Sequence, residues 1–312
     1  MEKVVIELDT GSKKEFNKNT TYYDISKGFN MDNILGVKIN NEFHELSERS
    51  NKDEKITFVD INDLTGYKVY KSGLMFIFEV ALKEVFPECN ILYQHSVPKG
   101  FLGEIVGDKI LTQDDLSKVK ERVAKIVNEN KCFKKLNIKK KEAIAFYLKN
   151  GEIEKANNIQ NISDKVVTLY ELNGRYNYFY SDMPYSTGFI SKYDIVYLGR
   201  NRLVFVIPSK ESNGMLPEYV HYDNIINSFL VGKDWLETLN MNYVTSLNKT
   251  IANGKIQDFI KSCELVFNLN ISKVVEKVTN NRNIKFILIA GPSSSGKTTS
   301  TKRLSSYLLA YG

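Results

Sequence analysis

The chain has 312 residues, of which 42% are hydrophobic and 26% are charged, and it contains only 6 prolines. These fractions are typical of globular domains and exclude a largely disordered, collagen-like or proline-rich chain. At roughly 150 residues per domain, the length corresponds to about two domains. The formal net charge of +6 permits an anionic ligand but does not require nucleic acid.

Membrane insertion and a disulfide framework are also disfavoured. No stretch reaches the roughly 18 uncharged apolar residues that cross a bilayer, and the N-terminus lacks a basic segment followed by an apolar run. We therefore expect a cytoplasmic protein. Cys89, Cys132 and Cys263 form no CxxC pair, which fits neither a disulfide framework nor a zinc ribbon.

The first sixty residues predict a small β-rich module. Strand-like runs at 4–8 and 13–16 flank Asp9-Thr10-Gly11-Ser12, a hairpin signal because Asp and Gly tolerate the positive φ of tight turns. The other predicted elements are a short helix from residue 20 or 21 and strands at 36–39 and 55–59. The order ββαββ suits a β-grasp, ubiquitin-like module.

The middle of the chain predicts an α+β region. A largely apolar segment, 72–86, has helical length and is stopped by Pro87, and Thr112 begins a second helix through about Asn128 with a capping-box pattern. Further predictions are a helix at 141–149 and strands at 166–170, 176–180, 194–198 and 203–207. The alternating Tyr176, Tyr178 and Tyr180 are interpreted as packing on one face of a strand.

The region after Pro208 predicts helices, followed by one strand. The helical segments are 225–230, 235–239, 244–252 and 255–278, with breaks at Gly232 and at Asn253-Gly254. The apolar run 284–290 is typical of a buried parallel strand, and a helix is predicted at 299–309.

Between that strand and that helix lies a match to the phosphate-binding pattern G-x-x-x-x-G-K-[ST]. Its glycines let backbone N–H groups converge on phosphate oxygens, Lys297 would reach the β- and γ-phosphates, and Thr298 would offer its hydroxyl to Mg²⁺. A Ser/Gly-rich loop that matches by chance is the alternative. The predicted cofactor-binding residues are Gly291, Pro292, Ser293, Ser294, Ser295, Gly296, Lys297, Thr298 and Thr299, with Lys297 also catalytic.

Phosphoryl transfer needs parts that the remaining 14 residues after Thr298 cannot supply. It requires an acidic Mg²⁺ partner on a later strand, a group that orients the attacking hydroxyl, and further parallel strands. We therefore expect ATP and Mg²⁺ to serve a longer protein, and the chain itself to be inactive and to bind neither productively.

The segment FILIAGPSSSGKTTSTKRLSSYL resembles the start of the kinase domain in bacterial uridine (nucleoside) kinase-like proteins, whose N-terminal region is similar to that of threonyl-tRNA synthetase. The turn at Ile39-Asn40-Asn41 and the segment 94–101 resemble that region. The resemblance implies four parts. These are a TGS-like module (1–61), a synthetase second-additional-domain-like (editing) region (62–207), a helical connector (208–282) and a truncated P-loop domain (283–312).

The resemblance implies ATP-dependent phosphorylation of a nucleoside such as uridine by the complete protein. The alternative is that the first 207 residues bind RNA, tRNA or a small ligand as a regulatory module attached to a P-loop effector domain. A third possibility is residual deacylation through His95. A titration with tRNA at two salt concentrations separates the binding module from the others.

The family's editing domain carries an H-x-x-x-H helix and a later C-x-x-x-H. Counting back from Pro87 places the first pair at Ser72 and Phe76, and counting from Pro184 places the second at Ser181 and Tyr185. None of these residues is His or Cys, and zinc sites need clustered imidazole or thiolate ligands. We therefore expect no zinc and no synthetase-type editing, although the fold can persist.

Two further features each have two interpretations. His95 either lines the old editing cleft as a base or anion contact, or is a structural loop residue. A run of lysines either follows an RNA backbone or forms a solvated charged face, and only Phe133 lies among them to stack a base. The run comprises Lys131, Lys134, Lys135, Lys139, Lys140 and Lys141.

Overall fold

The computed structural model describes residues 2–312, which divide into two compact units, one ending at Asp234 and one running from Trp235 to Gly312. Several separate sheets are combined with helices, so the prediction of an α+β multidomain chain is confirmed. None of the helices within residues 2–312 is both long enough and apolar enough to span a membrane.

The N-terminal module is a five-stranded sheet with one helix. Its strand order is β2-β1-β7-β4-β5, with β1 parallel to β7, and two short strands, β3 and β6, pair beside it. The predicted strands and helix are confirmed, while the short strands β3, β5 and β6 were not predicted. The elements are β1 (Lys3–Leu8), β2 (Lys13–Asn17), β3 (Thr20–Thr21), α1 (Tyr22–Gly28), β4 (Gly36–Ile39), β5 (Glu42–His44), β6 (Arg49–Ser50) and β7 (Glu54–Val59).

Helix α1 closes the core of this module. The Thr21 hydroxyl caps the helix by accepting a hydrogen bond from the Asp24 N–H at 3.1 Å. The helix then buries Tyr22 and Ile25 in one apolar cluster with side chains of β1 and β7, among them Ile6 and Ile56. The module therefore has its own hydrophobic core.

The rest of the first unit contains two further sheets around a long helix. The sheet orders are β10-β11-β12 and β13-β14-β9-β8. The elements are α2 (Leu64–Val85), β8 (Asn90–Val97), β9 (Gly100–Val106), α3 (Gln113–Glu129), β10 (Lys134–Lys139), α4 (Lys140–Lys149), α5 (Ile153–Gln160), β11 (Val166–Leu172), β12 (Arg175–Asn177), β13 (Asp194–Gly199) and β14 (Arg202–Val206).

Helix α2 is the centre of this region. Twelve of its 22 residues are buried, and Phe78 meets Phe205 of β14 edge to face with ring centroids 4.8 Å apart. The Asp63 carboxylate caps its first turn by accepting from the Thr65 N–H at 2.7 Å, so α2 begins eight residues earlier than predicted. For α3, the predicted capping box is present between Thr112 and Asp115.

Two local predictions in this region are wrong or incomplete. The predicted strand at 176–180 ends at Asn177, and Tyr180 is 90% exposed, so it does not pack on a sheet. The hairpin of β8 and β9 was not predicted, because glycines interrupt its apolar pattern. Gly100 is required there, since a Cβ on it would lie 2.0 Å from the backbone oxygen of Phe205 on the neighbouring strand.

Helices α6 (Asp223–Thr238), α7 (Val244–Ala252), α8 (Ile256–Thr279) and α9 (Lys297–Tyr311) complete the described chain. The predicted break at Gly232 is wrong, because one glycine in a helix costs only about 1 kcal/mol relative to alanine. The predicted strand at 284–290 is also wrong: the segment has no regular structure, and Phe286 and Leu288 are almost fully exposed. A buried parallel strand needs neighbours that satisfy its backbone, and none of the strands within residues 2–312 pairs with it.

Gly232 offers a stability prediction. A Cβ at Gly232 meets no atom within 4 Å, so Gly232→Ala should stabilise α6 by about 0.5–1 kcal/mol through its helix propensity. Urea denaturation followed by circular dichroism measures this. The control is Gly199→Ala, which also enters open space but at φ +84°, and should therefore lower stability. A decrease for Gly232→Ala would contradict a regular helix at this position.

Candidate functional site

A cleft opens in the first unit between α2, strand β8 and the segment that follows β12. Its volume is about 500 Å³, and it is lined on one side by α2 and on the other by residues 177–181. The polar and aromatic residues that line it are Lys68, Lys71, Ser72, Glu79, Tyr93, Lys155, Asn177, Tyr178, Phe179, Tyr180 and Ser181. The name "cleft" refers to this set of residues below.

Two of the four positions obtained by counting from the prolines meet inside the cleft. The Ser72 and Ser181 hydroxyl oxygens lie 2.6 Å apart, and the Ser181 hydroxyl also lies 3.3 Å from the Lys68 carbonyl oxygen. Ser72 is buried on α2 and is separated from Ser181 by 109 residues of chain. The two chain segments found by counting from Pro87 and Pro184 are therefore neighbours in the fold, with a hydroxyl pair between them.

The other two positions are part of aromatic packing. Phe76 is 1% exposed and packs against Phe133 and Phe179, with ring centroids 6.1 and 5.4 Å away. Tyr185 stacks parallel to Tyr23 at 4.1 Å. Within residues 2–312, no group of three or more His, Cys, Asp or Glu side chains is arranged to hold a metal ion. Phe76 and Tyr185 thus contribute aromatic packing to the region.

A partly buried polar group lies along one end of the cleft. The Lys155 ammonium contacts Glu79 at 2.9 Å and Glu152 at 2.6 Å, and the Asn177 amide donates to the second Glu79 oxygen. Burial works to lower the pKa of Lys155, but the two carboxylates outweigh burial and raise that pKa above its ordinary value. Lys155 therefore stays charged and offsets one of the two carboxylate charges beside it.

The mouth of the cleft combines exposed aromatic surface with positive charge. The Tyr180 ring is 90% exposed and meets the Tyr178 ring edge to face at 5.9 Å. The Lys71 ammonium lies 4.6 Å from the Phe101 ring centroid, and burial lowers its pKa without a contribution from any carboxylate. Lys68 is exposed on the same helix, so two lysines and one exposed tyrosine ring line the cleft.

His95 and most of the lysine run serve other contacts. The His95 ring stacks on Phe229 of α6 at 4.1 Å and does not line the cleft, which favours its structural interpretation. In the lysine run, Lys131 pairs with Glu129 at 2.7 Å and Lys134 with Glu171 at 2.8 Å. Lys135 lies 3.1 Å from Asp182. These pairs favour the interpretation of a solvated charged face.

The predicted phosphate-binding residues form a tight loop at the start of α9. Gly296 (φ 78°) and Ser294 (φ 60°) adopt left-handed backbone conformations. The Lys297 ammonium folds back to donate to the Gly291 carbonyl at 2.9 Å and to the Pro292 carbonyl. Thr298 and Thr299 lie in the first turn of α9. Binding of ATP and Mg²⁺ by this loop stays a prediction of the sequence.

The residues that define the cleft were mostly not predicted from sequence. Glu79 lies inside an apolar helix, Lys155 in a helix that was not predicted, and Tyr180 in a run interpreted as sheet packing. The isolated charge of Glu79 among buried neighbours is the one signal that the sequence carried, because a buried carboxylate needs a partner. Its partner is 76 residues away and cannot be identified from spacing.

Comparison with known proteins points to one class of relatives. The chain is 26% identical over 195 residues to the threonine–tRNA ligase of Rickettsia typhi, which is 61% of this chain and 31% of that protein. It is 27% identical over 172 residues to the threonine–tRNA ligase of Finegoldia magna, 54% of this chain and 27% of the ligase. The chain is 26% identical over 164 residues to the threonine–tRNA ligase of Caldanaerobacter subterraneus, which is 52% of this chain and 26% of the ligase. No family model matches the chain.

These relatives correct the functional prediction. The predicted ATP-dependent nucleoside kinase is wrong, and with it the predicted nucleoside substrate, because the related proteins are named threonine–tRNA ligases. The likeness of residues 286–308 to a uridine kinase-type domain finds no support in them. The tRNA synthetase-like part of the prediction is supported. The chain spans about a quarter to a third of the length of these relatives. The similarity to threonine–tRNA ligases covers more than half of the chain's own residues.

Proposed function

We propose that the chain is a tRNA-binding module and that the cleft receives single-stranded RNA. The observation that carries this proposal is the sequence similarity over half or more of the chain to ligases that act on tRNA by name. The proposal replaces a catalytic role in phosphoryl transfer with a role in RNA recognition.

The chemistry of the cleft mouth supports the proposal. Single-stranded RNA is bound by basic groups that contact the backbone and by aromatic rings on which bases stack. Lys68 and Lys71 supply the positive charge, and the open ring of Tyr180 supplies a stacking surface on the opposite side. The Lys155–Glu79 pair and the Asn177 amide add polar groups that can hydrogen-bond to RNA.

We propose the following division of the chain, which the fold supports. The N-terminal part, 1–61, is a TGS-like β-grasp module, consistent with the sheet order β2-β1-β7-β4-β5 and the packed helix α1. The part 62–207 is the synthetase editing-like region that contains the cleft. The parts 208–282 and 283–312 are a helical connector and a segment that ends in α9.

We further propose that RNA bound in the cleft is not hydrolysed by a zinc-dependent reaction. Counting from Pro87 and Pro184 assigns Ser72, Phe76, Ser181 and Tyr185 to the positions of the synthetase domain's imidazole and thiolate groups. The two serine hydroxyls are in contact with each other, and the two aromatic rings are engaged in packing. Neither pair supplies the nitrogen or sulfur ligands that zinc requires.

Titration of the full chain with tRNA at two salt concentrations tests the proposal. We expect affinity in the micromolar range at low salt that falls steeply as the salt concentration rises, because bound lysines release counterions from the phosphates. A single-stranded RNA that ends in the tRNA acceptor sequence should compete with tRNA, and a double-stranded RNA of equal length should compete poorly. Absence of tRNA binding at low salt would contradict the proposal.

A further inference from the structure

The N-terminal module touches the segment that forms one side of the cleft. We call residues 177–187 the cleft wall; it carries Tyr180 and Ser181. Tyr23 of α1 stacks on Tyr185 of the wall with ring centroids 4.1 Å apart and ring planes only 2° from parallel. Both residues lie in the first unit, so this contact joins the β-grasp-like module directly to the cleft region.

A second contact comes from Glu45, in the loop after β5. Its carboxylate is among the least exposed in the chain, with the residue only 3% accessible. The same carboxylate oxygen, Oε1, accepts two hydrogen bonds, one from the Tyr170 hydroxyl at 2.6 Å and one from the Met183 backbone N–H at 3.0 Å. The Lys135 ammonium lies 3.4 Å from the other oxygen and also contacts Asp182 of the wall.

The cleft wall has little regular structure of its own to fix its position. From Tyr178 to Ser186 the backbone contains no strand or helix, apart from an isolated bridge between Ser186 and Cys132. Met183 lies only two residues beyond Ser181 and three beyond Tyr180. A buried acceptor that holds the Met183 N–H therefore restricts where the hydroxyl and the ring of the cleft can lie.

We propose that the N-terminal module holds the cleft wall in its binding position, and that Glu45 is the positioning residue. This inference rests on the proposed function only for the identity of the cleft's ligand. The module thereby acts on RNA binding without contacting the RNA: loss of the Glu45 contact frees the wall, and Tyr180 and Ser181 are no longer presented together with the lysines of α2.

Hydrogen–deuterium exchange of the full chain tests the inference without RNA. In Glu45→Ala we expect amides of the cleft wall to exchange about tenfold faster or more, because the buried N–H of Met183 and hydroxyl of Tyr170 lose their acceptor. Glu45→Gln keeps an oxygen acceptor and should restore most of the protection. The control is Glu54→Ala, which also removes a carboxylate bonded to a tyrosine hydroxyl, that of Tyr22 at 2.8 Å, but does not touch the wall.

Equal exchange of the wall in Glu45→Ala and Glu54→Ala would overturn the inference. Faster exchange in both variants throughout the chain would overturn it as well, since it would indicate general loss of stability. If the wild-type chain binds tRNA, Glu45→Ala should also weaken tRNA binding at least several-fold. Unchanged tRNA affinity together with faster exchange of the wall would refute the claim that the wall's position affects binding in the cleft. Absence of tRNA binding by the wild-type chain would contradict the proposed function. The exchange data would still decide whether Glu45 holds the wall.

Discussion

Replacement of Phe76 by alanine should lower the free energy of unfolding of the first unit by about 3–5 kcal/mol. Phe76 is 1% exposed at the centre of the largest apolar cluster, where it contacts Phe133 and Phe179. Removing its ring leaves a cavity beside Phe133 and Phe179. Urea denaturation monitored by far-UV circular dichroism measures the loss.

Tyr180→Ala is the matched control for this prediction. Its ring belongs to the same region but is 90% exposed, so its removal should change stability by no more than about 0.5 kcal/mol. A loss below about 1 kcal/mol for Phe76→Ala would contradict the view that this position has become part of the core.

The same Tyr180→Ala variant should weaken tRNA binding by about 1–3 kcal/mol, which corresponds to roughly 5- to 150-fold. The reason is that an exposed ring beside two lysines offers a stacking surface for an unpaired base. Tyr180→Phe should retain nearly full affinity, because stacking needs the ring and not the hydroxyl. Fluorescence anisotropy with labelled tRNA measures all three proteins.

An exposed tyrosine in the second unit provides the control for specificity. Tyr311 is 57% exposed on α9 and does not line the cleft, so Tyr311→Ala should leave tRNA affinity unchanged. Equal losses for Tyr180→Ala and Tyr311→Ala would argue against recognition by the cleft. Equal affinity of Tyr180→Ala and the wild-type chain would remove base stacking from the account.

Much of the local structure follows from sequence because its causes are local. The capping box of Thr112 and the apolar spacing of α3 lie within one segment, and both are found as predicted. The wrong strand at 284–290 shows the limit of the same reasoning. An apolar run is compatible with a buried strand, but burial depends on partner strands, and Phe286 and Leu288 have none within the described residues.

The cleft itself was only partly predictable. Counting from Pro87 and Pro184 placed Ser72 and Ser181 at related positions, and the two hydroxyls are in fact 2.6 Å apart. The contacts of Glu79 with Lys155 and of Glu45 with Met183 join residues 76 and 138 positions apart. Such pairs have no signature in a single sequence, because each partner is an ordinary residue for its own helix or loop.

The functional prediction was wrong for a related reason. A match of eight residues to a phosphate-binding pattern carries less information on function than the likeness of the long preceding region to a tRNA synthetase. The pattern describes backbone geometry at the start of α9, where Gly296 does adopt a left-handed conformation. It does not by itself specify an activity, and over up to 195 residues the chain is instead similar to threonine–tRNA ligases.

The salt dependence of tRNA binding with and without the cleft lysines tests the central claim most directly. For single-stranded RNA each lysine–phosphate contact contributes about −0.7 to the slope of log K against log salt concentration. We therefore predict that Lys68→Ala with Lys71→Ala makes the slope shallower by about 1.4 and weakens binding at low salt. A Lys52→Ala control, exposed in the N-terminal module, should leave the slope as in the wild-type chain. An unchanged slope in the double variant would contradict RNA binding in the cleft.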